Sequence, residues 1–327
     1  MTQPVLGIDI AKETFDVCLM IEGKSRQAQF ENNVSGFKKL NHWISKYTPV
    51  KVHACQEATG QFGEALAEYL YREGHQVSVV NPARIKAYGS SKLRRNKTDK
   101  ADAELIALYC LREQPALWTP PPASFKDLQA LVRRYDDLQA TFQQERNRLK
   151  SGTSQSVVVA DLKEHLAYLE EKMANIKQAI QEHIQANPEL KQRQDLLLSI
   201  PGIGKLTASK LLGEIRDVCA FEDARQLAAY AGVTPRNFVS GTSIHKKARM
   251  TKMGNANLRK ILYMPAISAK RHNPIIHDFC QRLLNAGMSP MQVVGAAMRK
   301  LLHLIFGILK SGKPFNPNFL VNKPVAS

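Results

Sequence analysis

Residues 96–103, NKTDKADA, set two carboxylates, Asp99 and Asp102, three positions apart and close behind Arg84, Lys86, Lys92, Arg94, Arg95 and Lys97. On a helix that spacing puts both acids on one face a single turn apart, where like charges repel. A cation between them relieves the repulsion, and hard carboxylate oxygens suit Mg²⁺ or Mn²⁺. Two further acids, Asp9 and Glu57, close β-rich apolar runs. Four such carboxylates gathered at one edge could hold two divalent ions about 3.5–4 Å apart, the spacing that clamps the attacking and leaving oxygens of a phosphodiester. The basic run ahead of Asp99 would hold the strand under attack. Singly, each acid is explained as well by a helix cap or an exposed ion pair, so the joint reading depends on the fold.

The elements that must position these acids follow from hydrophobic period. Residues 5–10 (VLGIDI) and 14–20 (TFDVCLM) read as strands joined by a tight turn, and a short run at 28–30 extends the hairpin. Residues 36–47 carry Phe37, Leu40, Trp43 and Ile44 at helical spacing. A strand over 50–55 ending at Glu57, a helix over 61–73, a strand over 76–80 stopped by Asn81-Pro82, and a helix over 99–112 complete the series. The order strand, strand, strand, helix, strand, helix, strand, helix is that of a ribonuclease-H-like α/β domain, though many α/β folds begin the same way. In that topology Asp9, Glu57, Asp99 and Asp102 fall at one sheet edge.

Charge points to the partner. Lys and Arg number 46 against 29 Asp and Glu, a formal +17, and the isoelectric point is near 9.7. From residue 224 to 327 the only acid is Asp278. A cationic surface of that kind favours a polyanion, with nucleic acid the first choice. Five scattered cysteines without a CxxC pair suggest neither a zinc site nor a disulfide framework. The N-terminus lacks the pattern of a secretory signal, and the apolar run at 301–309 is short for a membrane span, so a cytoplasmic, non-membrane protein is expected.

Beyond residue 118 the pattern turns helical. Leu162, Leu166, Leu169, Met173, Ile176 and Ile180 alternate four and three apart, with Ile184 four further on, the seam of a coiled coil, and 125–150 carries comparable spacing. Residues 151–156 form a turn between them; pairing within a chain or between copies stays open. Residues 199–215 (SIPGIGKLTASKLLGEI) have the pattern of a helix-hairpin-helix, in which backbone amides at Gly202 and Gly204, with Lys205, grip a phosphate. Ser240 precedes Gly241 in a cationic loop flanked by Arg236, Lys246, Lys247 and Arg249, and Lys252, Arg259 and Lys260 extend the basic stretch. A hydroxyl there is accessible where phosphate would bind, although a polar turn serine is the simpler reading of the residues alone.

Taken together, GIDIAKETFDV, QEATG around Glu57, NKTDKADA, SIPGIG, AGVTPRNFVSGTS and KMGNANLRKILYMPA resemble the DEDD transposases of bacterial insertion sequences, which include bridge-RNA-guided recombinases and the related pilin-gene invertases. The resemblance implies a RuvC-like (ribonuclease-H-like) α/β catalytic domain over 1–118, a helical coiled coil over 119–188, and a mostly α-helical C-terminal transposase domain with helix-hairpin-helix and serine loop over 189–327. It implies that Asp9, Glu57, Asp99 and Asp102 are the metal-binding DEDD acids and Ser240 the nucleophile of a transesterification. It further implies donor and target DNA as substrates, a structured noncoding guide RNA, and a homo-oligomer built as a dimer of dimers. A RuvC-like nuclease that uses water, or a non-catalytic nucleic-acid-binding protein, are the alternatives.

Overall fold

The computed structural model describes residues 3–58, 61–91, 99–152, 155–240 and 244–318; for 61, 99–100, 237–240 and 244–249 it describes the backbone alone. The chain divides into two compact units, Met1–Pro120 and Pro121–Ser327.

The first unit is built on a five-stranded sheet in the order β3-β2-β1-β4-β5. Strand β1 (Val5–Ile10) pairs antiparallel with β2 (Thr14–Ile21), which pairs antiparallel with β3 (Lys24–Glu31). Strand β4 (His53–Glu57) lies parallel to β1, and β5 (Gln76–Val80) parallel to β4. Strand β3 is longer than the run at 28–30 because its outer half, Lys24–Gln27, is exposed and carries no apolar signal. Helices α1 (Val34–Ser45) and α2 (Gln61–Arg72) cover one face, where Leu6, Ile8, Phe15, Phe37, Leu40 and Leu66 share a core. Helix α3 (Pro82–Ser91), hidden in the sequence by its basic residues, joins α4 (Asp99–Glu113) on the other face, where Val5, Cys18, Cys55, Ile85, Ala103 and Ile106 pack. A strand buried on both faces reads as a continuous apolar run rather than an alternation, as VLGI in β1 does.

Among its described residues the second unit is helical apart from one hairpin. Helices α5 (Ala123–Ser151) and α6 (Ser156–Ala186) pack antiparallel within one chain, the His183 ring at the end of α6 meeting the Ser124 carbonyl at the start of α5 at 2.8 Å. Helices α7 (Pro188–Leu198), α8 (Lys205–Ile215), α9 (Ala224–Tyr230), α10 (Ala256–His272), α11 (Pro274–Asn285) and α12 (Pro290–Ser311) follow, with the β6 (Pro235–Ser240) and β7 (Ile244–Met250) hairpin between α9 and α10. The start of α5 belongs to this unit's core: Phe125, Leu128 and Val132 are buried with Leu211 and Leu212 of α8. Helix α12 is longer than the run at 301–309 and is apolar enough over 22 residues to cross a membrane by length and composition. Its Val293, Ala297, Leu301, Leu302 and Ile305 are instead buried in the unit's core.

One contact fixes the approach of α4 to the sheet. A Cβ at Gly7 would lie 2.2 Å from the Ala103 carbonyl oxygen and 2.3 Å from the Ala107 amide nitrogen, so only glycine admits the helix at this distance. Gly7→Ala is expected to destabilise the protein by about 3 kcal/mol, the upper part of the overpacking range. Gly307→Ala, inside α12 with open space at its Cβ, should stabilise by about 0.5–1 kcal/mol through helix propensity. Thermal unfolding of the two variants checks the opposite signs.

Candidate active site

The sheet register places the first two acids. Ile8 is level with Gln56 in the parallel β1–β4 pair, so Asp9 and Glu57 stand one step further along, side by side. Alternation puts Asp9 on the face of Val5 and Gly7, and Glu57 on the face of Cys55, which is the face that α4 covers. Asn32 ties the turn after β1 to the first turn of α2, its amide donating at 3.0 Å to the carbonyls of both Ala11 and Phe62.

Helix α4 runs antiparallel to β4. Its Cys110 thiol lies 3.8 Å from the carbonyl of His53, at the start of the strand. The eight residues from Cys110 back to Asp102 climb about 12 Å, and the four from His53 to Glu57 advance about 13 Å. Asp102 therefore arrives level with Glu57, and Asp99 opens the helix one turn beyond. Asp9, Glu57 and Asp102 are all half-buried; the side chain of Asp99 lies outside the described residues. Among the described residues no three His, Cys, Asp or Glu gather closely enough to hold a metal ion. The donors at this edge are nonetheless all hard carboxylates, the chemistry that Mg²⁺ or Mn²⁺ requires.

Asp16 is an acid that sequence reasoning passed over. It pairs directly with Asp9 across the β1–β2 hairpin, is buried, and accepts a hydrogen bond from Gln29 Nε2 at 2.9 Å. The signal was its place in TFDVCLM, where a polar residue interrupts a buried strand. Beneath the acids, a hydrogen bond to the Cys110 thiol, burial and the charge of Glu57 push the Cys55 thiol up, which leaves it a protonated packing group.

Of the basic residues ahead of α4, Arg84 and Lys86 are exposed on α3. Lys92, Arg94, Arg95 and Lys97 lie outside the described residues.

In the second unit Ser240 is the last residue of β6, paired with Ile244. It thus sits at a strand end beside a three-residue connection rather than in an open loop, because the alternation of FVS across from IHK forms a ladder. Lys246 stands opposite Phe238 and Arg249 opposite Arg236; the side chains of Ser240, Lys246, Lys247 and Arg249 lie outside the described residues. Arg236, Lys252 and Lys260 are exposed. Arg259 is engaged with the backbone, its Nη1 donating to the carbonyls of Ala231 at 3.2 Å and Lys252 at 3.1 Å.

The SIPGIG turn joins α7 to α8. Gly202, at φ 102°, backs onto α10, where a Cβ would lie 2.8 Å from the Ala269 amide nitrogen; it serves packing. Gly204 caps α8 with open space around it, and Lys205 beside it is exposed. The start of α8 is thus open to an anion through Gly204 and Lys205.

Comparison with known proteins sets this geometry in a family. A family model described as Transposase, of the DEDD type, matches residues 6–156, and one described as Transposase IS116/IS110/IS902 family matches residues 194–281. The pilin gene-inverting protein of Moraxella bovis is 36% identical over 320 residues, 97% of this chain and 98% of that protein. The chain belongs to the IS116/IS110/IS902 family of transposases. The transposase for insertion sequence element IS1328 of Yersinia enterocolitica is 26% identical over 79% of this chain and 81% of its own, and that for IS1111A of Coxiella burnetii is 24% identical over 82% and 78%. This transposase is therefore a DNA recombinase, and DNA is its substrate.

An ion pair to a buried carboxylate braces the transposase's second unit. Glu214 on α8 is 2% exposed and accepts from Arg133 Nε of α5 at 2.9 Å, from Arg133 Nη2 at 3.3 Å, and from Asn255 Nδ2 at 2.9 Å. Asn255 in turn caps α10, its Oδ1 accepting from the Leu258 amide at 3.0 Å. Burial pushes the Glu214 carboxyl up, but the hydrogen bonds from Arg133 and Asn255 and the Arg133 charge outweigh it and hold the group below its ordinary value. A lowered folded value means that the contribution is fully present above the unfolded glutamate value, about 4.3, and is lost as pH falls through the lower folded one. Glu214→Gln is expected to cost about 1.5–3 kcal/mol at neutral pH, the worth of hydrogen bonds to a charged group. Urea unfolding of both proteins should show that gap closing below about pH 4.

Proposed function

We propose that this transposase cuts and rejoins DNA by serine transesterification, with an acid edge in a RuvC-like first unit and Ser240 as nucleophile. The observation that carries the reading is the crossing of α4 over Gly7, which brings Asp102 level with Glu57 beside Asp9. In the attack, the Ser240 oxygen–phosphorus bond forms, the bond from phosphorus to a sugar oxygen breaks, and the proton lost by the hydroxyl is balanced by the one the leaving sugar oxygen gains. The phosphoserine link conserves the phosphodiester bond, so rejoining needs no high-energy cofactor.

Asp9, Glu57, Asp99 and Asp102 would hold Mg²⁺ or Mn²⁺. Such an ion, when bound, supplies positive charge to the phosphate oxygens and acidifies a hydroxyl beside it. The carboxylates orient around that charge, and the half-buried setting of three of them keeps them open to DNA on one side. The open start of α8 at Gly204 and Lys205 holds backbone phosphate as the exposed half of a helix-hairpin-helix, and the exposed bases of α3 hold another stretch. The seam of α6, buried against α5 at Leu162, Leu169, Ile180 and Ile184, is read as an intramolecular coiled coil.

A structured noncoding RNA as guide, and assembly as a dimer of dimers, are part of the same proposal; the cationic stretch after residue 224 offers the surface for it. The name of the Moraxella relative, a gene-inverting protein matched over nearly its whole length, supports inversion of a DNA segment as one outcome of the same strand exchange.

The test is a covalent protein–DNA adduct resolved under denaturing conditions, with Mg²⁺, RNA from the DNA flanking the gene, and a plasmid carrying the ends of the element. Wild type should form the adduct and Ser240→Ala should not. Metal-dependent nicking without an adduct in either protein would move the function to a water-using nuclease. Asp102→Asn should lower cleavage by at least about 100-fold, the scale of losing transition-state charge stabilisation, while DNA affinity stays within about threefold, because an acid opposes rather than assists phosphate binding. Cleavage at the wild-type rate would remove Asp102 from the site.

A further inference from the structure

The β6–β7 hairpin stands on a narrow base. Two backbone hydrogen bonds close its root, from the Thr251 amide to the Thr234 carbonyl at 3.0 Å and from the Lys252 amide to the Gly232 carbonyl at 3.1 Å. A two-stranded hairpin is marginally stable by itself in water. Ser240 lies at its far end, a six-residue strand away from the root. Over about 17–20 Å of strand, a tilt of about 5° at the base displaces the tip by about 1.5 Å.

Arg259, in the first turn of α10, spans that base. Its Nη1 donates to the carbonyl of Ala231, ahead of β6, and to the carbonyl of Lys252, just after β7. The two acceptors belong to the incoming and outgoing limbs of the hairpin, so one guanidinium ties both limbs to α10. The surrounding backbone makes room for it. Gly232, at φ 68°, would place a Cβ 2.7 Å from Arg259 Nη1, and Gly254, at φ 131°, would place one 2.2 Å from the Tyr230 carbonyl oxygen. The first turn of α10 is itself held by Asn255, which caps it and donates to the buried Glu214. A continuous line of polar contacts thus runs from Arg133 and Glu214 through Asn255 to α10, and from α10 through Arg259 to both roots of the hairpin.

We propose that Arg259 is the positioning residue of the Ser240 hairpin: it locks the two roots to α10 and thereby sets where the Ser240 hydroxyl is presented to the phosphate. This role rests on the reading of Ser240 as nucleophile and replaces the phosphate contact that the sequence suggested for Arg259. A displacement of the nucleophile by about 1 Å costs about 100-fold in rate, so a clamp at the base of a long lever acts on chemistry without touching the reacting atoms.

The experiment compares full-length wild type, Arg259→Ala and Arg259→Lys by two readouts. Hydrogen exchange on the protein alone should show faster exchange of the Thr251 and Lys252 amides in Arg259→Ala, with partial protection regained in Arg259→Lys, which can still donate to one carbonyl. Single-turnover adduct formation should slow by about 10- to 100-fold in Arg259→Ala and recover in part in Arg259→Lys, with DNA affinity and its salt slope unchanged. Unchanged exchange at both amides overturns the clamp. Affinity loss with a log-log salt slope reduced by about 0.9 overturns it too, in favour of a phosphate contact. If wild type forms no adduct, the serine reading fails, and the exchange readout decides whether Arg259 orders the hairpin.

Discussion

The close approach of backbone to backbone between Gly7 and α4 sets everything that the acid edge can do. A strand and a helix ordinarily pack through side chains. Here the missing Cβ lets the Ala103 and Ala107 backbone settle onto β1, and small residues on the helix complete the fit. That closeness matters because carboxylates at a shared edge act on one phosphate only if the elements carrying them are held within a few ångströms. Asp9 and Glu57 are fixed by ladder hydrogen bonds, while Asp102 depends on this crossing. The Cys110 contact at the other end of α4 sets the helix's direction, so one close contact and one distant one determine the level at which the acids meet.

The second unit solves a different problem, holding a two-stranded hairpin steady. Its core is large and apolar, yet the buried Glu214 carboxylate, paired with a part-exposed Arg133, sits where three helices meet. Such a pair gains little net stability over a well-packed apolar trio. What it contributes is directional: the Glu214 carboxylate accepts from an α5 arginine and an α10 cap at once, which fixes the rotation of α10 in a way that leucines would not. The residues hanging from the start of α10 inherit that rotation.

How much of this was legible in the sequence depended on how local the cause was. The seam of α6 follows from neighbours three and four apart, and the helix came out along it, since Leu162 and Ile184 are buried at its ends. The strands β1, β2 and β5 are largely apolar runs and were readable, whereas β4, with the sequence HACQE, runs over His53–Glu57, later than the run at 50–55 that announced it. Helix α3 was not, because Arg84, Lys86 and the serines after them dilute any periodic signal. Ser240 read as a loop residue because a ladder this short gives too little alternation to announce it. Gly202 looked like a phosphate-facing glycine, yet its neighbour is Ala269, far along the chain. The same holds for Arg259: a basic residue in a basic stretch suggests phosphate, and only the fold reveals two backbone carbonyls waiting for it. Pairing across sequence distance is what periodicity cannot carry.

Charge and chemistry also divide between the units. The acid edge belongs to the first and the serine hairpin to the second, and each is folded around its own core. Carboxylates at an edge repel DNA, so the affinity that brings phosphate to them must come from elsewhere, and the long stretch with Asp278 as its only acid is the obvious source. On the reading of Ser240 as nucleophile, neither unit can cut DNA by itself: one has acids without the hydroxyl, the other the hydroxyl without acids. A recombinase gains from that division. Strand breakage, on that reading, requires the acids and the hydroxyl at one phosphate.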